Sequence, residues 1–139
     1  MIVVDASLMI AWLLEEPNLA PTLGLDQVFE REALLVPPHW WAEIGNAFVV
    51  NLRRGRIPRD QMELLIERVS VLEIQVDPSR GISEIIPFGH FAATHGLTFY
   101  DAAYVHIALE RSIPLGTLDN DMRAVARRLN IPLLPAIVS

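Results

Sequence analysis

Met1-Ile2-Val3-Val4-Asp5-Ala6-Ser7 opens the sequence, and this stretch decides the fold class. The apolar, β-branched residues up to Asp5 are typical of a buried strand, and the acid stands at the end of that strand. Ser7 is a good N-cap for a helix that we predict over residues 8–16, ended by Pro17. A short buried strand that leads directly into a helix is typical of an α/β protein.

The rest of the chain continues this alternation of short strands and helices. Further helices are predicted over residues 20–31, 39–54, 58–72, 82–94, 100–111 and 120–129, and further strands over 33–36, 72–76, 114–117 and 133–137. The helix over 39–54 is apolar almost all round, which predicts that it is largely buried. The alternation predicts an α/β fold with a central parallel sheet and helices on both faces. In such sheets, ligands bind beyond the carboxyl ends of the strands.

Length and composition predict one domain, residues 1–139, located in the cytoplasm. The chain has 139 residues, 52% of them hydrophobic, and a net charge of −6, which together argue against global disorder. It has no cysteine, which excludes disulfides, thiolate metal sites and a cysteine nucleophile. No apolar run approaches the ~20 residues of a membrane span. The first residues also lack the basic start of a signal peptide.

Lysine is missing from the sequence, since all 11 basic residues are arginines. This excludes a P-loop, which places a lysine on the phosphates of a nucleotide. It also excludes Schiff-base chemistry, which needs an amine side chain. Receiver domains and phosphatases of the haloacid dehalogenase type have a similar size or topology, but both use a lysine beside the phosphorylated aspartate. They are therefore poor candidates.

Acidic residues stand at strand ends or in apolar surroundings. Asp5 ends the first strand, and Asp119 and Asp121 follow a later one. Glu43 lies within a nearly apolar helix, and Asp101 opens another. Lone carboxylates in apolar surroundings are costly, and no arginine stands near Asp5, Glu43 or Asp101 in sequence. Several such acids indicate a bound cation, and hard oxygen ligands favour Mg²⁺ or Mn²⁺.

A carboxylate cluster that holds one or two such ions is the usual equipment for hydrolysing phosphodiesters. The ions orient a water molecule, lower its pKa and neutralise charge that grows on the phosphate. Each acid also has an ordinary structural explanation. Asp5 could form a turn with Ser7, and the three aspartates after residue 100 could be capping or first-turn acids of helices. Glu43 is the hardest to explain in this way, because its helix offers little polar surface.

Four short segments are specific in combination, through their order and spacing. They are Val3-Val4-Asp5-Ala6-Ser7, Glu43-Ile44-Gly45-Asn46-Ala47, Leu97-Thr98-Phe99-Tyr100-Asp101-Ala102-Ala103-Tyr104 and Thr117-Leu118-Asp119-Asn120-Asp121. With them, the whole chain resembles a PIN-domain ribonuclease, and specifically the VapC toxin of a VapBC toxin–antitoxin module. The resemblance implies a three-layer α/β/α domain, RNA as substrate and a VapB-like antitoxin as partner. It also implies an acidic pocket formed by Asp5, Glu43, Asp101 and Asp119, with Asp121 at a position that varies in the family.

We therefore predict a metal-dependent endoribonuclease whose carboxylates hold one or two Mg²⁺ or Mn²⁺ ions. Ser7 and Thr117 are candidates to hydrogen-bond the metal ligands or the attacking water, and could equally be a helix cap and a strand-end hydroxyl. Asn46 lies one helical turn after Glu43. It could orient Glu43, touch the substrate or make a plain structural hydrogen bond.

Arginines supply the candidate contacts to the RNA backbone, because the guanidinium fork pairs with phosphates. One cluster is Arg53, Arg54, Arg56 and Arg59, and a second set is Arg123, Arg127 and Arg128. An exposed helix end is the alternative explanation of the first cluster. Trp40 and Trp41 face different directions of one helix: one is expected in the core, and the other could stack on a base or meet a partner, although we favour packing for both. The four histidines are predicted to be structural or surface residues.

Apolar residues in excess of a small core could serve homodimerisation or antitoxin binding. They are Leu8, Met9, Trp12 and Leu13, with the second half of the helix over 58–72. Core packing explains them almost as well. Two alternatives to a toxin stay open: a stand-alone PIN nuclease in RNA processing, and a non-catalytic module whose acidic pocket binds a cation or a basic peptide. A neighbouring gene for an antitoxin-like protein would favour the toxin, and absence of nuclease activity would favour the module.

Overall fold

The computed structural model describes residues 1–16 and 24–136, and this part of the chain contains a five-stranded sheet flanked by seven α-helices. The strands are β1 (Ile2–Val4), β2 (Leu34–Val36), β3 (Ile74–Val76), β4 (Leu115–Gly116) and β5 (Leu133–Leu134). Their spatial order is β3-β2-β1-β4-β5, and all neighbours are parallel. The predicted α/β fold with a central parallel sheet is confirmed.

The seven helices follow the predicted order with shifted ends. They are α1 (Ala6–Leu13), α2 (Leu25–Arg31), α3 (Trp40–Arg53), α4 (Met62–Ser70), α5 (Ile85–His95), α6 (Phe99–Arg111) and α7 (Asn120–Arg128). Short 3₁₀ segments, Arg59–Gln61 and Gly81–Glu84, precede α4 and α5 and replace the predicted first turns of those helices. The predicted helix start at residue 20 and strand end at residue 137 lie outside the described residues. None of the described helices is long and apolar enough to cross a membrane.

The connection from β1 to α1 contains no loop. Asp5 is extended, with φ −81° and ψ 168°, and its side chain accepts a hydrogen bond from the Leu8 N–H at 2.9 Å. The acid therefore caps a helix that begins at Ala6. The prediction that Ser7 caps this helix was wrong, because the strand ends directly at the cap and Ser7 falls within the first turn.

Helix α3 is buried on one face only. Trp40, Ile44 and Phe48 follow each other at four-residue spacing and are at most 4% exposed. Trp41 is 53% exposed and Val49 is 42% exposed. The predictions that this helix is largely buried and that both tryptophans pack inside were therefore wrong. Only the stripe of apolar residues at four-residue spacing joins the core, although the helix carries apolar residues on all its sides.

The apolar residues that seemed in excess divide into two groups. Leu8, Met9 and Leu13 of α1 are at most 2% exposed and belong to the core. On α4, by contrast, Leu64 is 60% exposed and Ile66 is 43% exposed. Core packing therefore accounts for α1, whereas α4 keeps an apolar surface.

Strand β4 and helix α1 approach each other closely at Gly116. A Cβ atom added there would lie 2.8 Å from Leu8 Cδ2 and 3.4 Å from the Val3 carbonyl oxygen. Leu8 is fully buried, and side chains in a close-packed core yield only at a cost. We expect Gly116→Ala to lower the free energy of unfolding by about 1–3 kcal/mol, measured by urea denaturation. Gly89→Ala is the control, because a Cβ atom in α5 meets nothing within 4 Å. Equal effects of the two variants would contradict the close approach.

Candidate active site

The acidic residues gather where the order of the strands reverses. Strands β2 and β3 lie on one side of β1 within the sheet, whereas β4 lies next to β1 on its other side. Such a switch point leaves a crevice at the carboxyl ends of the strands. Val4 and Gly116 are register partners, and the Asp5 N–H donates to the Gly116 carbonyl oxygen at 3.0 Å. Asp5 and Thr117, the residues after these two strands, therefore meet.

Asp5 is the most buried of the predicted acids, with 2% of its surface exposed. Its Oδ1 accepts from the Leu8 N–H, and its Oδ2 accepts from the Thr117 hydroxyl at 2.5 Å. The Ser7 hydroxyl lies 2.8 Å from both oxygens. The pKa of Asp5 is raised to about 6, mainly by burial and to a small extent by the Glu43 charge. The hydrogen bonds to Asp5 act in the opposite direction and lower its pKa. Asp5 is thus an oriented carboxylate that carries its charge at a cost.

Asp119 is fixed by the start of α7. Its side chain caps the helix by accepting from the Met122 N–H at 2.9 Å, and its own N–H donates to the Thr117 hydroxyl oxygen at 3.0 Å. Thr117 therefore joins Asp119 to Asp5 through one hydroxyl. Asp121 lies in the first turn of α7 and is exposed.

Asp101 lies in the first turn of α6 and is half-buried. Thr98 caps that helix, and its hydroxyl accepts from the Asp101 N–H at 3.1 Å. The pKa of Asp101 is raised, first by burial, then by the charge of Asp119, with smaller contributions from Glu43 and Asp121 and an opposing hydrogen bond from Thr98. The carboxylates from α3, α6 and α7 thus lie close enough to repel one another.

Glu43 is held by Tyr104 and lies beside His39, and neither residue was predicted as part of the site. The Tyr104 hydroxyl donates to Glu43 Oε1 at 2.5 Å, and His39 Nε2 lies 3.4 Å from the same oxygen. Burial and Glu43 both raise the pKa of Tyr104 well above its ordinary value. Helical spacing could have indicated both residues, because Tyr104 follows Asp101 by three positions and His39 precedes Glu43 by four.

A cleft of about 520 Å³ opens beside these carboxylates. Its lining residues are Ala6, Ser7, Ile10, Glu16, Glu43, Asn46, Ala47, Leu118 and Asp119. The cleft therefore brings together four predicted site residues from α1, α3 and the start of α7. Asp5 lies buried behind Ser7, and Asn46 is exposed on the wall of the cleft.

The predicted arginine contacts occupy different places. Arg53, Arg54 and Arg56 are exposed at the end of α3, and Arg56 pairs at 3.2 Å with Glu16, which lines the cleft. Arg123 is only 1% exposed. The prediction that Arg123 is an RNA contact was therefore wrong, because α7 turns this side chain into the interior.

The donor set suits a hard divalent cation, although the side chains do not converge on one point. Within residues 1–16 and 24–136, no three His, Cys, Asp or Glu side chains are arranged to hold one ion together. Each carboxylate instead has hydrogen-bond donors of its own. In the same part of the chain no arginine forms an ion pair with Asp5, Asp101 or Asp119. Their charge is uncompensated, and oxygen ligands of this kind fit Mg²⁺ or Mn²⁺.

The fold is a parallel α/β sheet with carboxylates gathered at its switch point. The PIN domain family matches residues 2–128, and the chain belongs to that family. PIN domains are generally nucleases, so this is a nuclease fold. The fold is similar to the crystal structure of PAE2754 from Pyrobaculum aerophilum, at 24% sequence identity and a TM-score of 0.64, covering 93% of this chain and 88% of that chain. A search of curated proteins finds no match.

Proposed function

We propose that this chain is one PIN-like domain over residues 1–139 that cleaves RNA as a metal-dependent endoribonuclease. The observation that carries the proposal is the gathering of carboxylates around the switch point. The Thr117 hydroxyl joins Asp5 to Asp119, and Glu43 and Asp119 line the same cleft. Asp101 feels the charges of both Asp119 and Glu43. Acids this close, without arginine partners in the described part of the chain, are stabilised by a bound cation. Hydrolysis of a phosphodiester is the chemistry that such a cation supports.

Each side chain has a distinct role in this proposal. Asp5, Glu43, Asp101 and Asp119 would hold one or two Mg²⁺ or Mn²⁺ ions, with exposed Asp121 as a further ligand. Such ions, when bound, supply Lewis acidity that activates water and stabilises charge on the phosphate. The Ser7 and Thr117 hydroxyls fix the orientation of Asp5. Asn46, on the wall of the cleft, would contact the substrate or orient Glu43.

The arginine cluster at the end of α3 would bind the RNA backbone. Arg53, Arg54 and Arg56 are exposed, and the ion pair of Arg56 with Glu16 brings the cluster to the rim of the cleft. Phosphate contacts of this kind position a nucleic acid without reading its bases. They also make this part of the surface locally positive, whereas the net charge of −6 for the whole chain would repel RNA.

We further propose that the protein is the VapC-type toxin of a type II toxin–antitoxin pair in the cytoplasm, forming a homodimer and binding a VapB-like antitoxin. Exposed apolar side chains support protein contacts. They are Leu64 at 60%, Val71 at 81%, Ile82 at 84% and Ile86 at 68% exposure. Large apolar side chains exposed to this degree are candidates for contacts with another protein chain. A stand-alone PIN nuclease in RNA processing would cleave RNA without such a partner.

The test is cleavage of total cellular RNA by the purified protein, freed of any copurified partner. We expect discrete fragments in Mg²⁺ or Mn²⁺ and none in EDTA. Asp101→Asn is expected to slow cleavage by at least about 100-fold, because it removes a metal ligand. Asp60→Asn, a change at an exposed carboxylate on another segment, should cleave like the wild type. Metal binding without cleavage would instead support the non-catalytic acidic module.

A further inference from the structure

One buried hydroxyl determines how Glu43 is presented to the cleft. Tyr104 is 1% exposed, and its hydroxyl donates to Glu43 Oε1 across 61 residues of sequence, which ties α6 to α3. We propose that Tyr104 is a positioning residue, an inference that rests on the proposed metal site. Its hydroxyl fixes the Glu43 carboxylate so that only Oε2 is left for a divalent cation.

Two groups face the same oxygen of Glu43. His39 Nε2 lies 3.4 Å from Oε1, is buried, and has no hydrogen-bond partner among the described residues. The His39 ring meets the Tyr104 ring edge to face, with centroids 5.3 Å apart. Glu43 Oε2 has no protein donor in the same part of the chain. The side chain is therefore held from one side and is open on the other.

The contrast with Asp5 defines what Tyr104 adds. Donors from Leu8, Ser7 and Thr117 reach Asp5 within three residues or from the neighbouring strand, so β1, α1 and β4 orient it. Glu43 stands on a helix and has one more rotatable bond, which an ion would have to immobilise on binding. A preformed hydrogen bond from the buried Tyr104 hydroxyl removes that loss.

Tyr104→Phe tests this inference, because it removes one oxygen atom and keeps the ring. The probe is Mn²⁺ alone, with free Mn²⁺ measured by electron paramagnetic resonance in the presence of the full chain. We expect the dissociation constant for Mn²⁺ to rise about 10–100-fold, the range for loss of a group that supports a metal ligand. The Mn²⁺ concentration for half-maximal RNA cleavage should rise by the same factor, and saturating Mn²⁺ should restore the rate.

Tyr100→Phe is the matched control. Tyr100 lies on the same helix, is 60% exposed and makes no hydrogen bond through its hydroxyl within the described residues. It should bind Mn²⁺ within about twofold of the wild type. A purely structural role of Tyr104 would lower the melting temperature of Tyr104→Phe without changing the Mn²⁺ affinity, and that result would overturn the inference while leaving the metal site in place. A wild type that binds no Mn²⁺ would overturn the proposed function itself.

A second measurement observes Tyr104 itself, so it does not depend on the folding of Tyr104→Phe. The sequence contains two tyrosines, so 3-fluorotyrosine labelling gives two ¹⁹F resonances that Tyr100→Phe assigns. The Tyr104 resonance is expected to shift as Mg²⁺ is added, because its hydroxyl shares Glu43 with the ion. The shift should disappear in Glu43→Gln. A Tyr104 resonance that stays unchanged at saturating Mg²⁺ would overturn the inference, because Glu43 would then not link the Tyr104 hydroxyl to the ion.

Discussion

Replacing Asp5 by asparagine is expected to abolish RNA cleavage and, at the same time, to stabilise the metal-free protein at pH 7.5. Asparagine keeps the size of the side chain and the oxygen that accepts from the Leu8 N–H, so α1 keeps its cap. It removes the charge at the junction of β1 and β4. Because the Asp5 carboxylate is a proposed metal ligand, cleavage should fall by at least about 100-fold.

The gain in stability follows from the direction in which burial shifts the pKa of Asp5. The pKa rises from 3.8 to about 6 on folding. A protonated Asp5 therefore favours the folded state below about pH 4, and this contribution is lost as the pH rises to about 6 and beyond. The difference corresponds to about 3 kcal/mol at neutral pH. Asparagine escapes this loss but places an amide opposite the Thr117 hydroxyl, so we expect a net gain of about 1–3 kcal/mol.

Urea denaturation in EDTA at pH 4, 5, 6 and 7.5 measures this gain. The stability difference between Asp5→Asn and the wild type should grow from pH 4 to 6 and stay level above. Saturating Mg²⁺ should stabilise the wild type and not the variant, because only the wild type offers the full set of ligands. Asp60→Asn, at an exposed carboxylate, should match the wild type in all four buffers. A difference that is independent of pH would mean that burial does not govern Asp5.

The order of elements could be predicted because it depends on local properties of the sequence. Short apolar runs alternate with helical periods, and only a parallel sheet joins such elements through short connections. Side-chain burial on α3 could not be predicted in the same way. Apolar residues occur on all sides of this helix, and only its packing in the tertiary structure decides that Trp40 is buried and Trp41 is 53% exposed. Hydrophobicity identifies possible core residues, and the tertiary fold determines which of them are buried.

The acids were predictable individually, and so were the Ser7 and Thr117 hydroxyls beside Asp5, whereas the Tyr104 partner of Glu43 was not. Asp5 and Asp119 follow neighbouring strands, so the strand-end rule places them correctly. The contact of Tyr104 with Glu43 joins two helices far apart in sequence, and no local pattern specifies the angle between them. The polar tip of a buried tyrosine needs a partner, but the sequence does not say which. Catalytic roles of all these residues remain predictions for the cleavage experiments.

Loss of the buried Arg123 guanidinium is expected to cost about 2–4 kcal/mol of folding free energy. One of its nitrogens donates to the Thr117 carbonyl oxygen at 2.9 Å and another to the Ala136 carbonyl oxygen at 3.1 Å. These bonds tie the end of β4 to the chain that follows β5. Arg123→Met keeps much of the apolar stem but leaves both carbonyl oxygens without this donor. Thermal and urea unfolding in EDTA measure the loss.

The position of Arg123 beneath Thr117 gives this prediction a consequence for the site. Burial, and to a lesser degree the charge of Arg127, lowers the pKa of Arg123, which shows that its charge is held at a cost. Hydrogen bonds to the two carbonyl oxygens offset that cost. One of these oxygens belongs to Thr117, whose hydroxyl donates to Asp5, so the guanidinium also helps to hold Thr117 in place. Arg123→Met should therefore weaken Mn²⁺ binding as well as stability. Arg128→Met, exposed on the same helix, should stay within about 0.5 kcal/mol of the wild type. Equal stability of the two variants would mean that the buried guanidinium is dispensable to the fold.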